Sequence, residues 1–143
     1  MLLNVSYNNK EVIKKIDAAV GAPFNLLERI RLGGVGSPKL NIHQVSIQIH
    51  NLLILDNNAN ICHIELRPKG ILIRFRSLLE TYALVIPYYK LRVYKGEAEV
   101  YGFYIDAFFI KVRAKSNDRD IQKFIKKLLD QYIEAAPTRI EDL

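Results

Sequence analysis

Three basic residues, Lys69, Arg74 and Arg76, have the types and spacing to bind a phosphate group. They lie in a segment where Ile71, Ile73 and Phe75 alternate with polar positions, and this period of two predicts a strand with Arg74 and Arg76 on one face. Two guanidinium groups on one face can hold a phosphate through paired, charge-assisted hydrogen bonds. The same alternation is also typical of an ordinary solvated strand face, so both interpretations remain open.

A second basic row consists of Lys111, Arg113 and Lys115, and a third of Lys90 and Arg92. Basic rows with interleaved aromatic residues can bind single-stranded nucleic acid through charge neutralisation and base stacking. However, tyrosines are common in strands, and no recognised nucleic-acid-binding signature accompanies the charge. We therefore do not expect a nucleic acid partner. The nearby tyrosines are Tyr88, Tyr89, Tyr94, Tyr101 and Tyr104.

The candidate metal ligands do not form a convincing set. Cys62 and His63 are adjacent, so a regular strand directs them to opposite faces, and the same parity separates His43 from His50 if residues 40–50 form a strand. Residues 56–60 resemble the start of a calcium loop, but Ile61 stands where that loop needs glycine. The sequence predicts no metal site, no cofactor and no catalytic residue, so we expect a protein that is not an enzyme.

The bulk properties favour one small intracellular domain. A chain of 143 residues with a single cysteine can bury a core of its own but cannot form an internal disulfide, which favours a reducing cytoplasm. No segment approaches the roughly 18 apolar residues of a transmembrane helix, and no signal peptide is evident, so we expect an unprocessed, soluble chain. The net charge of +6 favours anionic partners without identifying one.

The first part of the chain is predicted to be helical. Residues 9–20 have apolar positions at helical spacing and stop at Gly21, and residues 24–32 predict a second helix with Leu26, Leu27 and Ile30 facing inward. A glycine-rich linker follows over residues 33–36. From Leu40 onward the period changes to two, and Val45, Ile47 and Ile49 predict a strand.

The second part predicts a series of short strands and one long helix. Residues 56–60 are predicted to form a turn. The last element has apolar residues on one helical face, with Asn117 or Asp118 as a possible N-cap and Pro137 as its latest plausible end. The predicted strands cover residues 61–66, 71–76, 81–87, 90–95, 98–105 and 107–115, and the apolar helix face comprises Ile121, Phe124, Ile125, Leu128, Leu129 and Tyr132.

Residues 60–132 resemble the pleckstrin-homology-like (PH-like) superfold, including its bacterial and GRAM-type branches. The resembling segments are residues 61–66 (ICHIEL), 69–76 (KGILIRFR) and 83–91 (ALVIPYYKL), followed by 106–113 (DAFFIKVR) and the helix from Asp120. The resemblance implies a mainly β, α+β fold: an antiparallel barrel of about seven strands, closed by the C-terminal helix. It also implies a phosphoinositide-type site at Lys69, Arg74 and Arg76.

The chain departs from this family because it has no tryptophan, so Phe124 or Tyr132 would plug the barrel mouth. We expect an N-terminal helical extension and linker over residues 1–39, the barrel and helix over residues 40–136, and a polar tail over residues 137–143. The rival architecture is a cone-shaped sheet wrapped around the N-terminal helix, with a ligand cavity between Val12, Ile16 and the strands.

The resulting functional prediction is a non-catalytic interaction module that binds a protein or peptide, or a second copy of itself, at an exposed strand edge or beside the helix. The first alternative is peripheral binding to anionic lipid headgroups through the basic strand face. The second alternative is a small-molecule-binding or enzymatic domain of the cone type.

Overall fold

The computed structural model describes residues 1–55, 60–97 and 99–135. Within these ranges the chain is a mixed α+β protein with an open antiparallel sheet of eight strands and four helices. The strands are β1 (Leu2–Asn4), β2 (Leu40–Val45), β3 (Ile61–Arg67), β4 (Gly70–Ser77), β5 (Glu80–Pro87), β6 (Arg92–Lys95), β7 (Val100–Ile105) and β8 (Phe108–Arg113). The helices are α1 (Lys10–Val20), α2 (Leu26–Leu32), α3 (Ile47–Leu53) and α4 (Arg119–Ala135).

The strand order is β1-β5-β4-β3-β2-β8-β7-β6, so β2 joins two groups of consecutive strands. The first residues of β2 pair with β3, where Leu40 is opposite Cys62, and its later residues pair with β8, where Val45 is opposite Ile110. The sheet ends at β1 on one side and at β6 on the other. The expected antiparallel sheet and C-terminal helix are therefore present.

The main core lies on the inner face of the sheet and is covered by α3 and α4. The inward residues of β4 are the predicted ones, Ile71, Ile73 and Phe75, because their side chains share one face of the pleated strand. Arg74 and Arg76 face the opposite side, as predicted. A second, smaller apolar cluster lies on that outer face, where α1 covers β4 and β5. It comprises Ile16, Val20, Leu72, Ala83 and Val85.

The helix α1 begins and ends where the sequence predicts. The Asn9 side chain accepts hydrogen bonds from the amides of Glu11 and Val12, and Gly21 ends the helix with a φ of 87°. Because α1 packs on the outer face of the sheet, it is separated from the main core by β4 and β5.

The helix α2 is present, but the predicted direction of its apolar side chains is wrong. A capping box between Asn25 and Glu28 starts the helix, and Gly33 in the left-handed region ends it. Leu26, Leu27 and Ile30 were expected to face inward, yet all three are exposed. Helical spacing of apolar residues predicts a helix, but it does not show whether another element covers its apolar face.

The predicted strand at Ile47 and Ile49 is also wrong, because residues 47–53 form the helix α3. The buried residues Ile49 and Leu53 are four positions apart, as on one face of a helix. Ile47, which a strand would place on the same face as Ile49, is exposed. Ser46 marks the change of structure. Its amide donates to the Phe109 carbonyl at 3.0 Å and its hydroxyl accepts from the Phe109 amide at 3.1 Å.

The helix α4 confirms the sequence prediction most fully. Asp118 provides the N-cap, since its carboxylate accepts a hydrogen bond from the Ile121 amide at 3.1 Å. Ile121, Phe124, Ile125 and Leu128 are buried in the main core. Farther along the helix, the Tyr132 hydroxyl donates to the Leu91 carbonyl at 2.8 Å, so α4 contacts the segment between β5 and β6.

The strand β1 was not predicted, and its three residues pair with β5, where Leu3 is opposite Ala83. The predicted turn at residues 56–60 and the predicted polar tail at residues 137–143 fall, apart from Asn60, outside the described residues.

Candidate functional site

The first predicted basic set is not gathered at one point of the surface. Arg74 and Arg76 share the outer face of β4, whereas Lys69 lies in the turn before that strand. Arg76 follows Lys69 by seven positions, most of them in an extended strand, so their Cα atoms are roughly 20 Å apart. The α1 helix covers Leu72 on the same face of the strand, so Arg74 lies beside a packed helix.

Arg74 and its neighbour Arg67 are engaged with acidic residues of the same face. Arg74 donates to Glu65 at 2.6 Å, and Arg67 donates to the other oxygen of Glu65 at 2.6 Å and to Asp17 of α1 at 3.1 Å. Burial alone would raise the pKa of Glu65, but hydrogen bonds from Arg67 and Arg74 more than offset this and hold the pKa below its usual value. The charge of Arg74 is thus already used in holding the structure together.

The second basic row has a different environment. Lys111 and Arg113 alternate on β8 and face outward, while Lys115 follows the strand near Glu99. The cations of the ion pairs in the described ranges are Arg67, Arg74 and Lys126, so neither Lys111 nor Arg113 is neutralised in this way. The Lys111 ammonium lies 5.6 Å from the centre of the Phe109 ring.

Three aromatic rings form a row across the outer faces of β6, β7 and β8. The rings of Tyr104 and Phe109 are stacked with centroids 5.2 Å apart, and the Tyr94 ring meets Tyr104 edge-on at 5.3 Å. Tyr94 is 56% exposed and stands at the end of the row. Apolar rings with a solvent-accessible side offer a stacking surface for another flat group.

A bay of about 390 Å³ lies beside these rings and beside the free basic residues. Its floor is Gly102, which pairs with Tyr94 on one side and Lys111 on the other. A Cβ atom at Gly102 would lie 2.8 Å from the Tyr104 ring and 3.4 Å from Lys111 Cγ, so the missing side chain makes room for that ring and for the Lys111 stem. We call this cavity the basic bay; it is lined by His43, Tyr94, Gly96, Glu97, Val100, Gly102, Tyr104, Lys111 and Arg113.

His43 reaches the basic bay through an irregularity in β2. The register between β2 and β8 shifts between Ile42 and Gln44, because Ile42 is opposite Val112 and Gln44 is opposite Lys111. His43 is therefore an extra residue, and such bulges redirect side chains locally. His43 also lines a second groove, of about 790 Å³, between β2 and α3.

His50 lines that second groove as well, which corrects the prediction that His43 and His50 lie on opposite faces of a strand. The parity argument failed because residues 47–53 are helical. Cys62 is buried in the main core, on the inner face of β3, and desolvation raises the pKa of its thiol to about 12. Among the described residues, no three side chains of the His, Cys, Asp or Glu type are grouped closely enough to hold a metal ion.

The strand β6 forms one edge of the sheet, and its outer side is unpaired in the described part of the chain. The Gly96 amide donates to the Val100 carbonyl at 2.7 Å across the hairpin. Because inward and outward peptide groups alternate along an antiparallel strand, Tyr94 and Arg92 bond to β7. The N–H and C=O groups of Val93 and Lys95 therefore point away from the sheet.

A groove of about 680 Å³ runs beside β6 and reaches α4. It shares Tyr94 and Tyr104 with the basic bay, so the two cavities adjoin. Its lining contains two cationic side chains and one carboxylate, which gives it a positive character. We call it the edge groove; it is lined by Tyr89, Lys90, Leu91, Arg92, Tyr94, Tyr104, Asp106 and Tyr132.

The chain matches no protein-family model, and no curated protein or solved structure shows significant similarity to it. In the ranges that the structure describes, none of the helices is both long enough and apolar enough to cross a bilayer.

The sequence predicted Lys111 and Arg113 as basic candidates. It did not predict that Gly102, Phe109 and His43 lie next to them. Gly102 in the middle of a strand was a usable signal, because glycine at such a position often marks a close approach. The alternation around Phe109 predicts a strand residue but not a ring beneath the Lys111 ammonium. The bulge at His43 had no sequence signal, since it depends on how β2 pairs with β8.

Proposed function

We propose that this chain is a non-catalytic, PH-like interaction module that binds an extended peptide as an additional strand at β6. The observation that carries the proposal is the free edge of β6, where the N–H and C=O groups of Val93 and Lys95 point outward beside the edge groove. An exposed strand edge is a template for another strand, and a neighbouring groove can select its side chains.

The PH-like part of the proposal has support in the order of the strands. The strands β2 to β8 follow one another as antiparallel neighbours, except that β2 also pairs with β8 and no pairing joins β5 to β6 in the described residues. The helix α4 lies at this opening, where Tyr132 bonds to Leu91. The PH-like resemblance implies consecutive antiparallel strands followed by a covering C-terminal helix, and these features support the proposal.

The charge of the edge groove favours an acidic peptide. Lys90 and Arg92 line the groove, and Asp106 is the only carboxylate among its lining residues. Tyr89, which is largely exposed, adds an apolar surface with a polar tip. The partner is therefore an extended segment that carries aspartate or glutamate and an apolar side chain.

A proline at Lys95 tests the proposal without disturbing the sheet. The Lys95 amide points outward, so Lys95→Pro removes a hydrogen-bond donor that no other described strand uses, and edge strands tolerate proline. Lys95→Ala is the matched control, because it removes the same charge and the contact of Lys95 with the Tyr101 ring but keeps the amide.

The probe is an acidic peptide selected from a displayed library of random nine-residue peptides on the wild-type protein. We expect its affinity to fall about tenfold or more in Lys95→Pro, because a backbone hydrogen bond is lost and the peptide carbonyl is left unpaired, and to change little in Lys95→Ala. Equal affinity for the two variants, or a library that yields no binder, would overturn the proposal. Light scattering shows whether a second copy supplies the strand, since such a dimer dissociates in Lys95→Pro.

Headgroup binding through Lys69, Arg74 and Arg76 has weaker support. Arg74 is ion-paired with Glu65, and Lys69 lies at the far end of the strand from Arg76.

A further inference from the structure

We infer that the basic bay binds a nucleotide unit, with the phosphate held by Lys111 and Arg113 and the base stacked on Tyr94. The site lies on the face of the sheet, whereas the proposed peptide site uses the edge of β6. The inference does not rest on the proposed function, although Tyr94 and Tyr104 line both cavities.

The phosphate end of the bay is defined by two cations that form no ion pair with any described residue. Lys111 and Arg113 are two residues apart on β8, so they share a face and their Cα atoms are separated by about 7 Å. A phosphate between them can accept hydrogen bonds from both, and such charge-assisted bonds are the strong ones. His43 lies beside this end and offers a third possible donor.

The aromatic end of the bay is defined by the row of rings. Phe109 and Tyr104 stack on each other, and Phe109 also lies under Lys111, so these two rings hold the basic end in position. Tyr94 closes the row with an edge-on contact and remains more than half exposed. A base stacked on Tyr94 gains the contact that flat aromatic groups make with every nucleobase.

The shape of the bay limits what can enter it. A volume of about 390 Å³ lies near the small end of ligand pockets, which range from roughly 300 to 1,000 Å³. The Tyr104 ring and the Lys111 stem pack close to Gly102, so these three residues form one continuous wall of the bay. In the sheet, the aromatic Tyr94 lies on one side of Gly102 and the basic Lys111 lies on the other.

Glu97 provides an internal check on the sign of the ligand charge. It is the only carboxylate among the residues that line the bay, and it lies in the hairpin after β6. An anionic ligand is repelled by this group, so Glu97→Gln tightens binding of a phosphate compound. If the ligand is cationic, Glu97→Gln weakens its binding, and if the ligand is neutral, Glu97→Gln leaves the affinity unchanged.

The experiment uses AMP, ribose 5-phosphate, inorganic phosphate and fluorescein-labelled octathymidylate with the full chain at low salt. AMP and the oligonucleotide each carry a phosphate and a base. Comparing their affinities shows whether the bay prefers a free nucleotide or a single strand. Ribose 5-phosphate and inorganic phosphate lack the base, so they measure the phosphate end alone. Thermal unfolding of every variant shows that the fold is retained.

We expect AMP, the oligonucleotide or both to bind, and the double variant Lys111→Ala/Arg113→Ala to weaken binding about tenfold or more. We expect Tyr94→Leu to weaken binding about fivefold or more, at the lower end of base–aromatic stacking. Lys115→Ala is the matched control, because it removes a charge from the same row outside the bay, and we expect less than about a twofold change. For the oligonucleotide, we also expect a smaller dependence of binding on salt. The slope of log K against log salt concentration becomes less negative by up to about 1.4 in the double variant, because two phosphate contacts are lost.

Three results would overturn the inference: no binding of either nucleotide probe, binding that the double variant leaves unchanged, or binding of ribose 5-phosphate as tight as that of AMP. Lys95→Pro separates this inference from the proposed function, because it weakens peptide binding about tenfold or more and keeps the side chains of Lys111, Arg113 and Tyr94, so we expect nucleotide binding to be retained. If the wild-type protein binds the peptide but neither nucleotide probe, this inference alone has failed, and if it binds a nucleotide probe but no peptide, the proposed function alone has failed.

Discussion

The Arg67 guanidinium and the Asp17 carboxylate lie 3.1 Å apart and join the sheet to α1. Arg67 is only 6% exposed, and it also donates to the Gly21 carbonyl at 2.8 Å at the end of that helix. One side chain of β3 thus fixes both the last turns of α1 and the Glu65 carboxylate.

Replacing Arg67 tests how much this junction stabilises the protein. We expect Arg67→Met to lower the free energy of unfolding by about 3 kcal/mol, because it keeps the volume but leaves partly buried acceptors unpaired. Asp17→Asn is the milder comparison, with a loss of under about 1 kcal/mol, since Asp17 is partly exposed. Urea denaturation measures both values. A loss in Arg67→Met as small as that in Asp17→Asn would contradict the assignment.

Glu65 makes this junction sensitive to acid. Its pKa is lower in the folded chain than the unfolded value of about 4.3, so its ionised form contributes stability above that pH. That contribution is lost as the pH falls through the folded pKa. We therefore expect the difference in stability between wild type and Glu65→Gln to be largest near neutral pH and to shrink below about pH 4. A difference that stays constant between pH 7 and pH 3 in urea denaturation would rule this out.

Gly70 is required by close packing at the start of β4. A Cβ atom there would lie 2.5 Å from Val20 Cγ1 and 2.8 Å from the Pro87 Cα, and closer still to the Ile86 carbonyl oxygen. We expect Gly70→Ala to lower stability by about 3 kcal/mol, because backbone atoms cannot move aside as a side chain can. Gly36→Ala is the control, since nothing lies within 4 Å of a Cβ at that position. Thermal unfolding that places both variants at the same midpoint would refute the explanation.

The rings of Tyr88 and Tyr132 lie 6.3 Å apart, and we expect loss of the hydroxyl group to change stability differently at the two positions. In the described part of the chain the buried Tyr88 hydroxyl has no hydrogen-bond partner, and burial raises its pKa above the usual value. We expect Tyr88→Phe to leave stability unchanged or to raise it by about 1 kcal/mol, and Tyr132→Phe to lower it by a similar amount, since that hydroxyl bonds to Leu91. Calorimetry of the two variants distinguishes the signs, and a large loss in Tyr88→Phe would show that its hydroxyl has a partner.

Cys62 reports on the integrity of the core. It is fully buried, and desolvation raises the pKa of its thiol to about 12, so little thiolate exists in the native state. We expect a disulfide reagent such as dithiobis-nitrobenzoate to modify native protein at pH 8 only as fast as the chain opens, and unfolded protein at once. Because Cys62 is the only cysteine, no other thiol contributes to the signal. Rapid modification of the native protein would show that β3 is accessible.

The sequence predicted the elements whose pattern has a single interpretation. The alternation in β4 and the four-residue spacing in α4 each determine both the element and its buried face, as the burial of Phe75 and Leu128 confirms. The segment at Ile47 and Ile49 fits both periods over a few residues, and the contacts of Ser46 with Phe109 decide between them. Those contacts join residues far apart in the sequence.

The candidate site was only partly predictable for the same reason. Lys111 and Arg113 could be read from the alternation in one strand, whereas the partner of Arg74 is Glu65 on the neighbouring strand. A basic residue looks the same in a sequence whether its charge is free or paired. The distinction depends on strand register, which no local pattern supplied here.

The pairing of β2 with β8 has a consequence for the order in which the chain acquires its structure. The strands β3, β4 and β5 are joined by short turns and can form from local contacts, whereas Val45 meets Ile110 only after more than sixty residues of chain have been enclosed. Closing so long a loop is slow, because its entropy is lost before the contacts form. A ribosome therefore releases β2 long before its second neighbour exists, and until β8 emerges this strand presents an open edge to chaperones and to other nascent chains.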